Sequence, residues 1–302
     1  MTNLATLTRV RMKLAMRNKM FFFFSVLMPL GFFFLYAGVF AKGDPHMVLF
    51  YLGPVLALNV MGSFWGLSAM LVTYREQGIL RRFHVTPVTS SDMLVSSVLA
   101  NFVLTLPTVL SILLLARFVF HVHHFGNTWA MALFVCVGTV SFGSLGLVVA
   151  SVTNTMQETQ VLNQLIWLPL IFLSGATLPI AFLSKAVQRA ALFLPATYLV
   201  SGLQQSTYAS QSIFTMLTQF ISLVAWAILS FFVAAQLFRW EPETKIPRKA
   251  KLWAAATVIP FVILGFWEQY NGRILSEAKA SFLSATQQSE PPSTRPESPK
   301  NQ

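Results

Sequence analysis

The residues best placed to act on something outside the chain lie in one short stretch, Tyr74-Arg75-Glu76-Gln77-Gly78-Ile79-Leu80-Arg81-Arg82-Phe83-His84-Val85-Thr86-Pro87. Three Arg, one Glu, a Gly and a Pro stand here between two long apolar runs. The stretch is too short for a domain. A compact charged hinge of this kind suits electrostatic contact with an oppositely patterned surface. The Arg pair can also serve only as a topological anchor, with Glu76 pairing to it locally. Other chemistry is sparse. There is no G-x-x-x-x-G-K-[ST], H-E-x-x-H or G-x-S-x-G pattern, so phosphate cradling of the P-loop kind, a zincin site and a nucleophile elbow are not expected. His121, His123 and His124 lie close together without a neighbouring carboxylate or Cys, so a wet loop is expected there and no metal site. Cys136, the single cysteine, lies in an apolar run and reads as a small buried hydrophobe.

The polar side chains available in the middle of the apolar runs are Asn59, Asn101, Asn163 and Gln164, with Ser and Thr. They are the candidates for lining a pathway, although Asn59 is expected to hydrogen-bond a neighbouring helix. No run has a carboxylate at its centre. Ion-coupled carriers and proton relays usually depend on such groups. Any uphill movement would therefore draw its energy from outside the membrane.

Composition points the same way. The 302 residues are 55% hydrophobic and 10% charged, and mean hydropathy is +0.63. Soluble domains carry about 25% charged residues. The net charge of +11 could point to nucleic acid, but no aromatic-rich basic groove or zinc ligand set accompanies it. The basic residues read instead as topological signals. No nucleic-acid partner is expected; the lipid bilayer is.

The expected fold is all-α, a polytopic helical bundle. Residues 1–20 form a basic interfacial helix. Residues 21–240 hold six spans, at 21–40, 48–73, 93–118, 129–152, 161–182 and 213–238, since about 20 apolar residues cross the hydrocarbon core. Pro29 is expected to kink the first. Gly138, Ser141, Gly143, Ser144 and Gly146 make the fourth span the tightest packing face. Ser90-Ser91-Asp92 supplies cap chemistry for the third. Residues 184–211 are interrupted and read as one or two short helices at, or dipping into, the outer interface. Residues 241–283 form a basic linker and a seventh apolar run, Leu252 to Trp267, whose length suits either a thin span or an interfacial or re-entrant helix. The Ser-, Pro- and Gln-rich stretch 284–302 is expected to be disordered.

Alternate loops differ in charge. The N-terminal side collects thirteen Lys and Arg, and the opposite side four, Lys42, Arg117, Lys185 and Arg189. The positive-inside rule places the N-terminus and residues 75–92 in the cytoplasm.

These features together resemble the membrane subunit of ABC-2 type exporters, over about residues 7–238. The most specific piece is Arg75-Glu76-Gln77-Gly78-Ile79-Leu80-Arg81-Arg82-Phe83 with Thr86-Pro87, similar to the family's loop after the second span. The resemblance implies that Arg75, Glu76, Gly78, Leu80, Arg81, Arg82, Phe83, Thr86 and Pro87 form a coupling loop that docks on an ATPase. Arg17-Asn18-Lys19 leading to Phe21-Phe22 and Pro29-Leu30 is similar to the approach to the first span. Ser174-Gly175, Pro179, Pro195, Tyr198 and Gly202 are similar to the family's outer re-entrant hairpin. The chain departs from the pattern after Phe238.

The resemblance further implies a bacterial inner-membrane permease with no catalytic residues, moving a drug, lipid or glycan outward. ATP would bind on two copies of a separate P-loop subunit and not on this chain, and a second permease copy would complete the pathway. The drug-resistance branch is the most similar. A membrane scaffold and a secondary multidrug carrier are the rival readings.

Overall fold

The structure is a computed structural model that describes residues 8, 9, 13, 26–80, 89–238 and 258–289. The interfacial helix and the start of the first span therefore lie largely outside the described residues, as do 239–257 and 290–302. Among the described residues all regular structure is helical. In chain order these are α1 (Met28–Leu35, continued as π-helix Tyr36–Phe40), α2 (Pro45–Met61), α3 (Ser63–Glu76), α4 (Ser90–Phe118), α5 (Thr128–Val152) and α6 (Met156–Leu173). A 3₁₀ turn (Ile180–Phe182) precedes α7 (Lys185–Ala191), α8 (Pro195–Thr207), α9 (Leu217–Leu237), α10 (Ile259–Asn271) and α11 (Arg273–Ser289).

Four of these are long and apolar enough to cross a membrane: α2 and α3 taken as one 32-residue rod, α4, α5 and α9. The two helices join at Gly62, whose backbone stays helical and whose N–H donates to the Leu58 carbonyl at 3.1 Å. Large apolar side chains on the outside, such as Leu110, Leu114, Ile228 and Phe232, are more than half exposed. A soluble surface would not tolerate such a continuous apolar area, whereas lipid matches it.

The bundle has two ends. One carries the α3–α4 connection and the α5–α6 turn, and is called the loop end. The other carries the starts of α2, α5 and α9, and is called the far end. Phe118, Trp129, Phe214 and Tyr270 all stand exposed near the far end, Trp129 and Tyr270 at 83% and 92%. Exposed aromatics at one level mark a membrane–water boundary.

Helix α5 is the hub and packs against α2, α3, α4, α8 and α9. Its small residues explain this. A Cβ at Gly146 would stand 2.4 Å from the Phe64 carbonyl oxygen, so the backbones of α5 and α3 touch there. Gly53 lets α2 meet α8 in the same way, 2.6 Å from the Gln204 Cα. Two apolar clusters fill the rest, the larger from mid-depth to the far end. The smaller lies at the loop end and includes Leu71, Val72, Leu80, Met93, Leu94, Leu147 and Val233.

Several boundaries differ from expectation. Pro29 lies within continuous helical backbone, which is π-helical at residues 26–27 and α-helical from Met28. The cap of α4 is Thr89, one residue before the expected cluster. Its hydroxyl takes the Asp92 amide at 3.1 Å while the Asp92 carboxylate takes the Thr89 amide at 3.2 Å, a capping box. The fifth apolar run does not continue as helix to residue 182. It starts earlier, at Met156, and ends at Leu173, because Gly175 takes a left-handed φ of 88°. At the C-terminal end helix continues past Ser284 to Ser289, since Phe282 and Ala285 are packed inward despite the polar composition around them.

Candidate functional site

The charged hinge is built from the end of α3. Arg75 is 3% exposed and points into the bundle. Its Nη2 donates to the carbonyls of Ala150 at 2.5 Å and Thr153 at 3.0 Å, at the C-terminus of α5. The C-terminus of a helix carries the negative end of the helix dipole, so a guanidinium donating to carbonyls there is favourably placed. Glu76 turns the other way. Its exposed carboxylate accepts the Met156 amide at 2.8 Å, in the first turn of α6. Adjacent residues thus hold the end of one helix and the start of the next.

The α5–α6 turn they grip is itself tied. Thr153 and Thr159 share a hydroxyl–hydroxyl bond of 2.8 Å. Thr155 caps α6 by accepting the Glu158 amide at 3.2 Å, and Glu158 accepts the Asn154 amide at 2.7 Å. Thr73, one turn before Glu76, reaches the Met156 sulfur at 3.8 Å.

After Glu76 the chain turns at Gly78, whose φ of 68° belongs to the left-handed region. Leu80 then drops back into the loop-end cluster and is fully buried. Arg75 and Leu80 therefore face inward and are closed to a partner surface, whereas Glu76 is exposed and Gly78 partly so. Arg81, Arg82, Phe83, Thr86 and Pro87 lie outside the described residues.

The four pathway candidates are not brought together by hydrogen bonds. Asn163 is buried and clamps α6 to α3, its Nδ2 donating to the Ser68 hydroxyl at 2.8 Å. From the sequence Ser68 reads only as one of the small residues that let the second span pack closely, not as a partner for Asn163. Asn59 and Asn101 each bury an amide nitrogen that has no hydrogen-bond partner among the described residues. Gln164 is exposed on α6.

The residues of the expected outer hairpin lie on one connected path. Ser174 ends α6, and the Ala176 amide bonds its hydroxyl at 3.3 Å. The segment is tied to α1, whose Tyr36 hydroxyl donates to the Thr177 carbonyl at 2.8 Å. Pro179 precedes the 3₁₀ turn, and Pro195 opens α8. Tyr198 is fully buried and donates to the Leu192 carbonyl at 3.0 Å. Gly202 meets the Phe134 ring, 2.3 Å from a would-be Cβ. Phe182, at one end of this path, lies against Phe282 of α11, and the Ser206 carbonyl at the other end accepts the Asn127 amide at the start of α5. Both ends stand at the far end of the bundle. Helix α8 is buried along nearly its whole length although polar. Ser206 and Thr207 manage this by bonding the Leu203 carbonyl within their own helix.

A sequence model of the ABC-2 type transporter family matches residues 2–208. The inner membrane transport permease YhhJ of Escherichia coli (strain K12) is 26% identical over 186 residues, 61% of this chain and 48% of the relative. The probable multidrug ABC transporter permease YbhS of the same strain is 22% identical over 188 residues, 62% and 47% of the two chains. The putative transport permease YvfS of Bacillus subtilis (strain 168) is 22% identical over 196 residues, 63% and 80%. The aligned region spans about half the length of YhhJ and YbhS.

Proposed function

The chain belongs to the ABC-2 type transporter family, and from that premise we propose that it is the membrane permease subunit of an ATP-driven exporter. It is a multi-pass membrane protein, and the charge asymmetry of its loops supports placing the loop end in the cytoplasm. The far end is then outside. ATP is bound and hydrolysed on two copies of a P-loop partner subunit. The cargo is a hydrophobic or amphipathic molecule of the drug, lipid or glycan class, and the multidrug label printed for YbhS favours the first.

The observation that carries this reading is the paired grip of Arg75 and Glu76 on the α5–α6 turn. Arg81, Arg82, Phe83, Thr86 and Pro87 supply the docking part, and Glu76 and Arg75 supply transmission. A push on the loop reaches α3 directly, α5 through Arg75, α6 through Glu76, and the loop-end core through Leu80. Six spans are assigned by adding α1 with its preceding residues and α6 to the four long rods. The segment from Phe182 to Thr207, exposed over much of 182–190 and buried along α8, acts as a re-entrant hairpin at the outer side. Two copies meet along α6, where Gln160 and Gln164 stand exposed beside Val161, Leu165, Leu168 and Phe172. Exposed amides at membrane depth disfavour a lipid-facing position and favour a protein or water-filled one.

Docking and transmission separate in one experiment. Arg81→Glu is expected to lose co-purification with the ATPase while still inserting in the membrane. Glu76→Gln is expected to keep co-purification and lose substrate-stimulated ATP hydrolysis. Normal co-purification of Arg81→Glu overturns the docking role.

A further inference from the structure

The chain departs from the family pattern after Phe238, and the described residues of that part, 258–289, have a specific place. Helix α10 runs antiparallel to the first half of α9. Phe261 packs on Trp226, halfway along α9, with ring centroids 5.2 Å apart, and on Tyr198 of α8 at 5.6 Å. At the other end of α10, the Arg273 guanidinium donates to the Thr215 carbonyl, just before α9 begins. Helix α10 thus climbs from mid-depth to the far end, and exposed Tyr270 joins the aromatic level there.

The elbow to α11 is fixed. Gly272 takes a left-handed φ of 63°, and buried Glu268 accepts the Ile274 amide at 2.6 Å, capping α11. Helix α11 then crosses the far end. Phe282 wedges between Phe50 of α2, at 5.9 Å, and Phe182, at 4.8 Å. Ala285 and Ile274 are buried beneath it. One polar contact ties it to α8: Glu277 accepts from the Gln205 amide while holding Arg273 at 2.7 Å. Between α11 and the ends of α2 and α8 remains a cavity of about 560 Å³, lined by His46, Leu49, Gln205, Tyr208, Glu277 and Ser281.

We propose that α10 and α11 form a latched strap on the extracytoplasmic face, covering the far end of α8 and walling one side of the open cleft beside it through the Glu277–Gln205 and Phe282 contacts. The chain beyond α10 then lies on the side opposite the charged hinge. The proposal rests on the cytoplasmic placement of the hinge, and the test separates the two.

The chain's single cysteine, Cys136, is replaced by Ala. Lys279→Cys, exposed on α11, and Ala285→Cys, buried under it, are then treated in intact cells with a membrane-impermeant maleimide. Lys279→Cys is expected to label without permeabilisation. Ala285→Cys is expected to label at least about tenfold more slowly, as a docked segment must open first. Adding Glu277→Ala and Phe282→Ala should bring Ala285→Cys to the rate of Lys279→Cys. Labelling of Lys279→Cys only after permeabilisation overturns the orientation and with it the outward face. Equal rates for the two cysteines in the otherwise native chain overturn the strap. Continued protection of Ala285→Cys in the doubly substituted chain overturns the latch.

Discussion

Arg75 and Glu76 are neighbours in the chain but serve opposite helix ends. A guanidinium against carbonyls and a carboxylate against an amide each match the local dipole, so both side chains are held by the backbone of α5 and α6. Read from the sequence, both belonged to one outward-facing charged patch. The type of charge was legible; the direction of Arg75 was not, because its partners are main-chain carbonyls about 75 residues away. Arg75→Met keeps the apolar stem and leaves those buried carbonyls short of a donor. It is expected to cost about 1–3 kcal/mol, read as a lower melting temperature of the detergent-purified protein. An unchanged melting temperature would show that the Ala150 and Thr153 carbonyls are satisfied without it.

Helices pack here without a strong hydrophobic drive between them, so close approach and a few polar pairs set which faces meet. The small-residue face of α5 was legible for this reason: only Gly and Ser at those positions let backbones touch. The Ser68–Asn163 clamp between α3 and α6 was half legible, since Asn163 stands out in an apolar run and Ser68 does not. A double-mutant cycle with Ser68→Ala and Asn163→Ala should give a coupling of about 0.6 kcal/mol, and no more than about 1.7. Zero coupling in reversible unfolding from mixed micelles would remove the pair from the account. The end of the fifth apolar run was misjudged because composition stays apolar through residue 182 while Ser174 and Gly175 end the helix conformationally.

At the scale of the whole molecule, the loop end is a joint and the far end is covered. Force applied at the hinge has a route into α3, α5 and α6, while α11 lies across the opposite end. A dimer through α6 fits this layout, since α6 is gripped at the joint and exposes its other face. In a Cys136→Ala background, Gln164→Cys is expected to form cross-linked dimers in membranes with a short thiol cross-linker. Gln269→Cys, on α10 away from that face, serves as the comparison and is expected to give none. Equal yields from both positions would remove α6 from the interface.

The sequence by itself determined the class of molecule. Long apolar runs, few charges and an asymmetric distribution of Lys and Arg make a helical membrane bundle, because unpaired backbone groups are not tolerated in lipid. It also marked the charged hinge. Tertiary structure decided where each polar group turns: Arg75 inward, Asn163 onto Ser68, and a polar α8 into the core. It also decided that the last described helix lies over the far end. These outcomes depend on contacts between residues distant in the chain, and composition and periodicity carry information only about neighbours.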